Sequence, residues 1–211
     1  MSGATVFTNP LKKGRTIVVT AVGEAEGSRG AAAALSCACA DRDGTALLVE
    51  VGGRAPRPAL LASAEAQKLE ERLRSHLPEL KPAARGQVCH LTVPPDRAGL
   101  EVAATAVSLL REGASVVHLP PELLQEALAV ELGLRPAGLL LRADLAHDRP
   151  LVALLVRDLH NRDIPVAVLK RRLSWVAERR AFFGALPPGS PGSLSPRLVR
   201  RLEFPLSTDT A

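Results

Sequence analysis

Short apolar runs alternate with helix-like segments along most of this chain, and this alternation is what most restricts its fold. Six runs are rich in leucine or β-branched residues without strict alternation, as expected for strands covered on both faces. They predict strands at 16–21, 45–51, 87–93, 115–119, 137–142 and 165–169. Strands separated by helices indicate an α/β fold with a doubly wound, mainly parallel sheet and helices on both faces.

The segments between these strands carry helix start and stop signals. Ser63 is suited to cap one helix, and Asp148 is placed to open another. A third helix is predicted at 120–133, with Pro121 in its first turn and Gly133 as its stop.

Length and composition favour one domain with a substantial core, because the chain has 211 residues of which 46% are hydrophobic. We expect an N-terminal arm at 1–14, the domain at 15–187, and a tail rich in Pro, Gly and Ser at 188–211. The net charge of +5 comes mainly from scattered arginines, and aromatic residues make up only 2% of the chain. Nucleic-acid binding is therefore disfavoured, since it needs clustered charge and stacking surfaces.

The cysteines and the apolar runs bear on the compartment. Cys37 and Cys39 point about 200° apart on a predicted helix, so neither a disulfide nor a shared metal is expected. No apolar run approaches the roughly 20 residues that span a bilayer, and the N-terminus lacks an apolar signal segment. We expect a reducing cytoplasm, with membrane contact peripheral at most.

The segment VGEAEGSRGAAAALSCA, residues 22–38, joins the first predicted strand to a helix that begins near Ser28. A strand, a glycine-bearing loop and a helix N-terminus form the geometry of a phosphate-binding loop. This loop contains no lysine, however, and Glu24 and Glu26 would repel a polyphosphate. A tight turn with solvated acids is the favoured interpretation.

The order of elements over residues 16–187 resembles the ParA/MinD group of P-loop ATPases, including their pilus-associated CpaE-like relatives. In that family the first loop reads K-G-G-x-G-K-T-T. On this sequence the signature lysine falls on Gly23, the phosphate lysine on Ser28 and the Mg²⁺-binding hydroxyl on Arg29.

Later motifs of the family are similarly altered. Glu50 keeps one acid of the second strand, whereas Gly52 replaces the other. Thr92 stands where the third strand carries a metal-linked aspartate, and Arg142 stands where an asparagine reads the base. The resemblance therefore implies a P-loop fold that has lost its phosphoryl-transfer groups.

This resemblance implies a pseudo-ATPase, a MinD/ParA-like scaffold or regulatory protein that binds protein partners and has no catalytic residues, metal or cofactor. Bacterial pilus or secretion assembly, or septum or polar placement, would be its setting, and a homodimer is plausible. One alternative is a residual nucleotide binder with weak or no hydrolysis of ATP, which would then take Mg²⁺. The other is a small-molecule sensor or an enzyme that reuses the cleft at the strand ends.

Ligands of such sheets bind beyond the carboxyl ends of the strands. The candidate ligand-binding residues there are Gly27, Ser28, Arg29, Gly30, Glu50, Thr92, Asp96, Arg142 and Asp144, and Arg97 and His118 are predicted at the same edge. The favoured interpretation is structural, with Arg29–Glu50 and Arg142–Asp144 as surface ion pairs of little energetic value.

The remaining chemical groups give weaker signals. His90 is expected to be a packed core residue, and no metal-ligand spacing or G-x-S-x-G serine motif is present. Trp175, Phe182 and Phe183 are expected to pack the last helix, with a partner interface as the alternative.

Overall fold

The structure, a computed structural model, describes residues 15–22, 27–53, 61–110, 112–129, 132–134, 136–143 and 148–169. Several positions named above lie outside these residues: 1–14, Gly23, Glu24, Glu26, Asp144, Trp175, Phe182, Phe183 and 188–211. Among the residues that are described, no helix has the length and apolar character needed to cross a membrane.

The described residues form strands and helices in alternation. The strands are β1 (Arg15–Ala21), β2 (Ala46–Val51), β3 (Ala83–Arg85), β4 (Val88–Val93), β5 (Ala114–His118), β6 (Gly138–Arg142) and β7 (Val166–Leu169). The helices are α1 (Ser28–Asp43), α2 (Ala64–His76), α3 (Arg97–Ser108), α4 (Leu124–Ala127) and α5 (Arg149–Asn161), with a 3-10 turn (Pro121–Leu123) before α4. All six predicted strands are found, with ends that differ by at most one residue. The short strand β3 was not predicted.

These strands form one sheet in the order β3-β4-β2-β5-β1-β6-β7. All pairs are parallel except β3 with β4, so the predicted α/β class with a mainly parallel sheet is confirmed. Counted along the chain, the parallel strands have the order 3-2-4-1-5-6. This order differs from the 3-2-1-4-5-6 order that is usual for dinucleotide-binding sheets.

Alternate side chains of the strands enter two separate apolar clusters, one on each face of the sheet. On one face, here called the α1 face, Ile17 and Val19 pack with the alanines of α1. On the opposite face Val18 belongs to a cluster that includes Leu69 of α2 and Leu100 of α3. The small residues of α1 allow the helix axis to lie close to the sheet, which brings its first turn near the strand ends.

A crevice is expected beside β1, because the chain leaves neighbouring strands toward opposite faces. Helix α1 follows β1 on the α1 face. Leu124 of α4 follows β5 and Val152 of α5 follows β6, and both belong to the cluster on the other face. Such a divergence at the carboxyl ends of adjacent strands is where α/β sheets bind ligands.

Two predicted helix starts are confirmed, and one helix is shorter than predicted. The Ser63 side chain accepts a hydrogen bond from the amide of Ala66 at 3.2 Å, and α5 begins directly after Asp148. The helix predicted at 120–133 is wrong in extent, since α4 ends at Ala127.

Local packing explains why this helix stops early. The amides of Ala129 and Leu132 bond to carbonyls three residues earlier instead of four, which tightens the chain into turns. The turns let both Leu128 and Leu134 enter the same apolar cluster before β6 begins. Burial of these two leucines outweighs the helix propensity of the segment.

Gly99 provides a test of the packing between α3 and the end of β4. A Cβ atom at this position would lie 2.0 Å from the carbonyl oxygen of Pro94. Gly→Ala in a helix usually stabilises by about 1 kcal/mol, but here we expect Gly99→Ala to lower the free energy of unfolding by about 1–3 kcal/mol in urea denaturation. Gly138→Ala is the control, because its nearest contact would be 3.6 Å. A Gly99→Ala protein as stable as the control would contradict this packing.

Candidate functional site

Polar side chains gather at the carboxyl ends of the central strands on the α1 face. Glu50 of β2 lies in register with His118 of β5 on one side and with Thr92 of β4 on the other. His90, two residues before Thr92, points to the same face because side chains alternate along a strand. We call the group formed with the first turn of α1 the polar cluster; its members are Ser28, Arg29, Glu50, His90 and His118.

Glu50 is the buried centre of the polar cluster, with 1% of its side chain exposed. Arg29 donates from Nε to Oε1 at 2.5 Å and from Nη2 to Oε2 at 3.0 Å. His90 Nε2 lies 2.6 Å from Oε2. Because an ionised carboxylate can only accept, His90 must donate from Nε2. The carboxylate is therefore held by a two-point guanidinium contact and an imidazole.

These partners keep Glu50 ionised despite its burial. Burial alone would raise the pKa of Glu50, but the hydrogen bonds and positive charge of His90 and Arg29 lower it from 4.5 to about 2. The prediction that Arg29 and Glu50 pair as surface ions is wrong in one respect: the pair forms, but its acid is buried. The small energies measured for exposed pairs do not apply to it.

The loop after β2 closes over the same carboxylate. A Cβ atom at Gly53 would lie 2.7 Å from the Cβ and 2.9 Å from Oε2 of Glu50. Only glycine fits there without displacing the acid. A metal ion that bound Glu50 would compete with Arg29 and His90 in this confined space.

A second contact joins α1 to β5. The hydroxyl oxygen of Ser28, the first residue of α1, lies 3.0 Å from Nε2 of His118. Burial lowers the pKa of His118. Glu50 raises this pKa and Arg29 lowers it, and the net decrease favours the neutral ring. The Nδ1 atom of His118 is buried and has no hydrogen-bond partner among the residues that the structure describes.

The candidate residues near the first turn of α1 are brought together, and one at α3 is not. Gly27, with φ of 92°, directly precedes α1, and Gly30 is buried in its first turn. Asp96 instead caps α3 by accepting a hydrogen bond from the amide of Gly99 at 2.8 Å. Arg97 pairs with the exposed Glu101 on α3, at 3.3 Å.

Arg142 lies at the same edge of the sheet but beyond β1. It is in register with Ala21, and its side chain is buried, with a hydrogen bond from Nη1 to the carbonyl of Ala143 at 2.8 Å. Sequence reasoning placed it correctly at a strand end but gave no reason to expect its burial.

His90 is the member of the polar cluster that sequence reasoning missed. Its side chain is 13% exposed, in keeping with the expectation of a packed residue, but its ring also binds Glu50. The available signal was spacing, because His90 and Thr92 share a face of one strand. Without the register of β4 against β2, that spacing did not connect His90 to Glu50.

Other kinds of site receive little support from the described part of the chain. No group of three or more His, Cys, Asp or Glu residues there is arranged to hold a metal ion. A shallow groove of about 380 Å³ lies on α3, away from the polar cluster, between Arg97, Thr105 and Gly133. The comparisons with known proteins found no matching family model, no matching curated protein and no matching solved structure.

The pKa of Glu50 predicts an acid-sensitive fold. Because its pKa is lower in the folded protein, ionised Glu50 contributes stability that is complete above about pH 4.5 and is lost as the pH falls toward about 2. The difference corresponds to about 3 kcal/mol. We expect Glu50→Gln to lower the free energy of unfolding at neutral pH by that order and to flatten its decrease in acid, measured by urea denaturation at several pH values.

Glu101→Gln is the matched control for this experiment. Glu101 also pairs with an arginine, but 59% of its side chain is exposed. Its replacement should change stability by less than about 1 kcal/mol. Equal effects of the two substitutions would mean that the buried ion pair does not stabilise the fold.

Proposed function

We propose that this chain is a non-catalytic pseudo-ATPase of the ParA/MinD-like P-loop type, and that it acts as a scaffold or regulatory protein for protein partners. One observation carries the proposal: the Arg29 guanidinium lies on the buried Glu50 carboxylate. By the resemblance, Arg29 takes the place of the Mg²⁺-binding hydroxyl, and Glu50 is an acid that helps to position metal and water.

Electrostatics supports the loss of phosphoryl transfer. That reaction depends on cations which neutralise charge on the transferred phosphoryl group. Here the charge of Arg29 is already neutralised by Glu50, and Ser28, at the position of the phosphate lysine, is hydrogen-bonded to His118. By the resemblance, these two internal contacts stand at the positions where the family holds phosphate and metal, which supports the loss of both.

The fold supports the P-loop-like, doubly wound part of the proposal. Helix α1 follows β1 in the chain, with Gly27 in the left-handed region immediately before the helix. The divergence of helices beside β1 is the kind of position at which nucleotide-binding α/β sheets hold their ligand.

The setting of the proposed function comes from the resemblance. Bacterial pilus or secretion assembly, or septum or polar placement, fits a scaffold of this type, and the partners would be proteins. Any homodimer would have to form without the family's signature lysine, since Gly23 stands at that position. The free thiols of Cys37, Cys39 and Cys89 support a reducing cytoplasm.

Thermal unfolding with nucleotide tests the central claim. We expect no change in melting temperature on addition of millimolar Mg·ATP, Mg·ADP or Mg·GTP. A ligand at 100 times its dissociation constant would stabilise the protein by about 2.7 kcal/mol, which such a measurement detects readily. A shift that needs Mg²⁺ would refute the proposal and favour the residual nucleotide binder.

Replacement of Arg29 separates its structural role from any role with nucleotide. Arg29→Met leaves Glu50 with His90 as its described partner, so we expect a loss of about 2–3 kcal/mol in the free energy of unfolding, with or without Mg·ATP. Arg97→Met is the control, since Arg97 makes an exposed pair and should cost less than about 1 kcal/mol. If Mg·ATP protected wild type but not Arg29→Met, Arg29 would be a nucleotide ligand instead.

A further inference from the structure

In the proposed pseudo-ATPase the contact between Ser28 and His118 only takes the place of a phosphate ligand, and its own chemistry is unassigned. We propose that Ser28 is an activated nucleophile with His118 as its general base, and that it accepts acyl groups from small activated esters. This reactivity lies outside the proposed function, whose loss of catalysis concerns phosphoryl transfer, and it needs neither nucleotide nor metal. The missing G-x-S-x-G motif argued against such a serine, but the fold places Ser28 as the first residue of the helix that follows a central strand.

The geometry meets the first requirement of a nucleophile and its base. Ser28 Oγ and His118 Nε2 are 3.0 Å apart, within the range for direct proton transfer. The two residues come from the start of α1 and the end of β5. His118 is in register with Val19 of β1, which places it at the strand end beside the first residue of α1.

The environment of His118 suits a general base. Burial has the largest effect on the pKa of His118 and lowers it, which favours the neutral ring. The nearby charges oppose each other, because Glu50 raises this pKa and Arg29 lowers it. To accept the Ser28 proton at Nε2, the neutral ring must carry its own proton on Nδ1, and this is the tautomer that the proposal assigns to His118.

The surroundings of Ser28 also favour the developing negative charge. The first backbone N–H groups of a helix have no partner within the helix, and they form its positive end. Ser28 is at this end of a 16-residue helix, so an oxyanion formed on its acyl group would lie near these donors.

The Ser28–His118 pair differs from a catalytic triad because it lacks the acid, and this lowers the turnover to be expected of it. Nδ1 of His118 has no acid partner among the described residues, and the nearby Glu50 carboxylate is held by Arg29 and His90. Loss of the acid from a serine triad lowers turnover by about 10⁴-fold. Covalent labelling is therefore a more sensitive readout than turnover.

Ester cleavage at Ser28 proceeds in two stages, acylation of the serine and hydrolysis of the acyl-serine. Ser28 Oγ forms a bond to the carbonyl carbon of the ester while its proton passes to Nε2 of His118. The bond between that carbon and the leaving oxygen breaks, and the leaving oxygen takes the proton from Nε2. Water then attacks the acyl-serine carbonyl, with His118 taking and returning a proton, which releases the carboxylic acid and restores Ser28.

Labelling with a fluorophosphonate probe tests this reactivity, and the chain contains its own control. The hydroxyl of Ser75 lies 3.0 Å from Nδ1 of His76 on the surface of α2, but this nitrogen donates to the carbonyl oxygen of Arg72 at 2.9 Å. Ser75 is therefore an exposed serine beside a histidine that cannot serve as its base. We expect Ser28 to be labelled about 100-fold faster than Ser75, measured by mass spectrometry of peptides from one sample. Ser28→Ala should remove the adduct at this peptide. Labelling of Ser28 no faster than that of Ser75 would overturn the proposal.

A cysteine substitution gives a second readout with a low background. Burial raises the pKa of Cys37 to about 11 and that of Cys39 and Cys89 to about 12, so the native thiols react slowly with iodoacetamide. In Ser28→Cys, His118 should lower the pKa of the introduced thiol below its ordinary value of about 8.5, and adding His118→Asn should restore that value. A thiol indifferent to His118→Asn would contradict the assigned base. If the double variant did not fold, the comparison of Ser28 with Ser75 would still decide.

Discussion

The ionised carboxylate of Glu50, buried on the α1 face, imposes the arrangement around it. Removing an unpaired carboxylate from water costs several kcal/mol, so a fold that buries one must supply cations and donors in fixed positions. Arg29 and His90 meet this requirement from α1 and β4. Their contacts join the first turn of α1 to two neighbouring strands. Gly53 completes the enclosure because any larger residue would collide with the acid.

Much of the fold was predictable because strands that are buried on both faces of a sheet have a recognisable apolar composition. Strands of a covered parallel sheet must be apolar throughout, and each of the six predicted runs became a strand. β3 escaped prediction because Ala-Ala-Arg has no periodicity to read, and it is held at the edge by pairing with β4. The helix predicted at 120–133 was too long for the opposite reason. Its helical sequence pattern is clear, but the packing of Leu128 and Leu134 ends the helix early.

The candidate site was predictable in its location and less so in its chemistry. Strand ends and the loop into α1 brought Ser28, Arg29 and Glu50 to one edge of the sheet. Burial of Glu50 and the part played by His90 depend on the register between β2 and β4, which pairs residues about 40 positions apart. A sequence read locally contains no such register. The contact of Ser28 with His118 likewise spans 90 residues and follows from the position of β5 beside β1.

Under the proposed function, the Arg29–Glu50 pair has a thermodynamic consequence for partner binding. A loop held by nucleotide and metal is stabilised in proportion to ligand concentration and affinity, so its conformation follows the nucleotide state. The first turn of α1, held by side chains of the same chain, has no such dependence, because both partners are always present. A surface formed around this turn would then be available at every nucleotide concentration, which suits a scaffold and removes the on–off cycle of an ATPase. The same internal pairing leaves Ser28 without a phosphate to bind, so its hydroxyl is available to the histidine beside it.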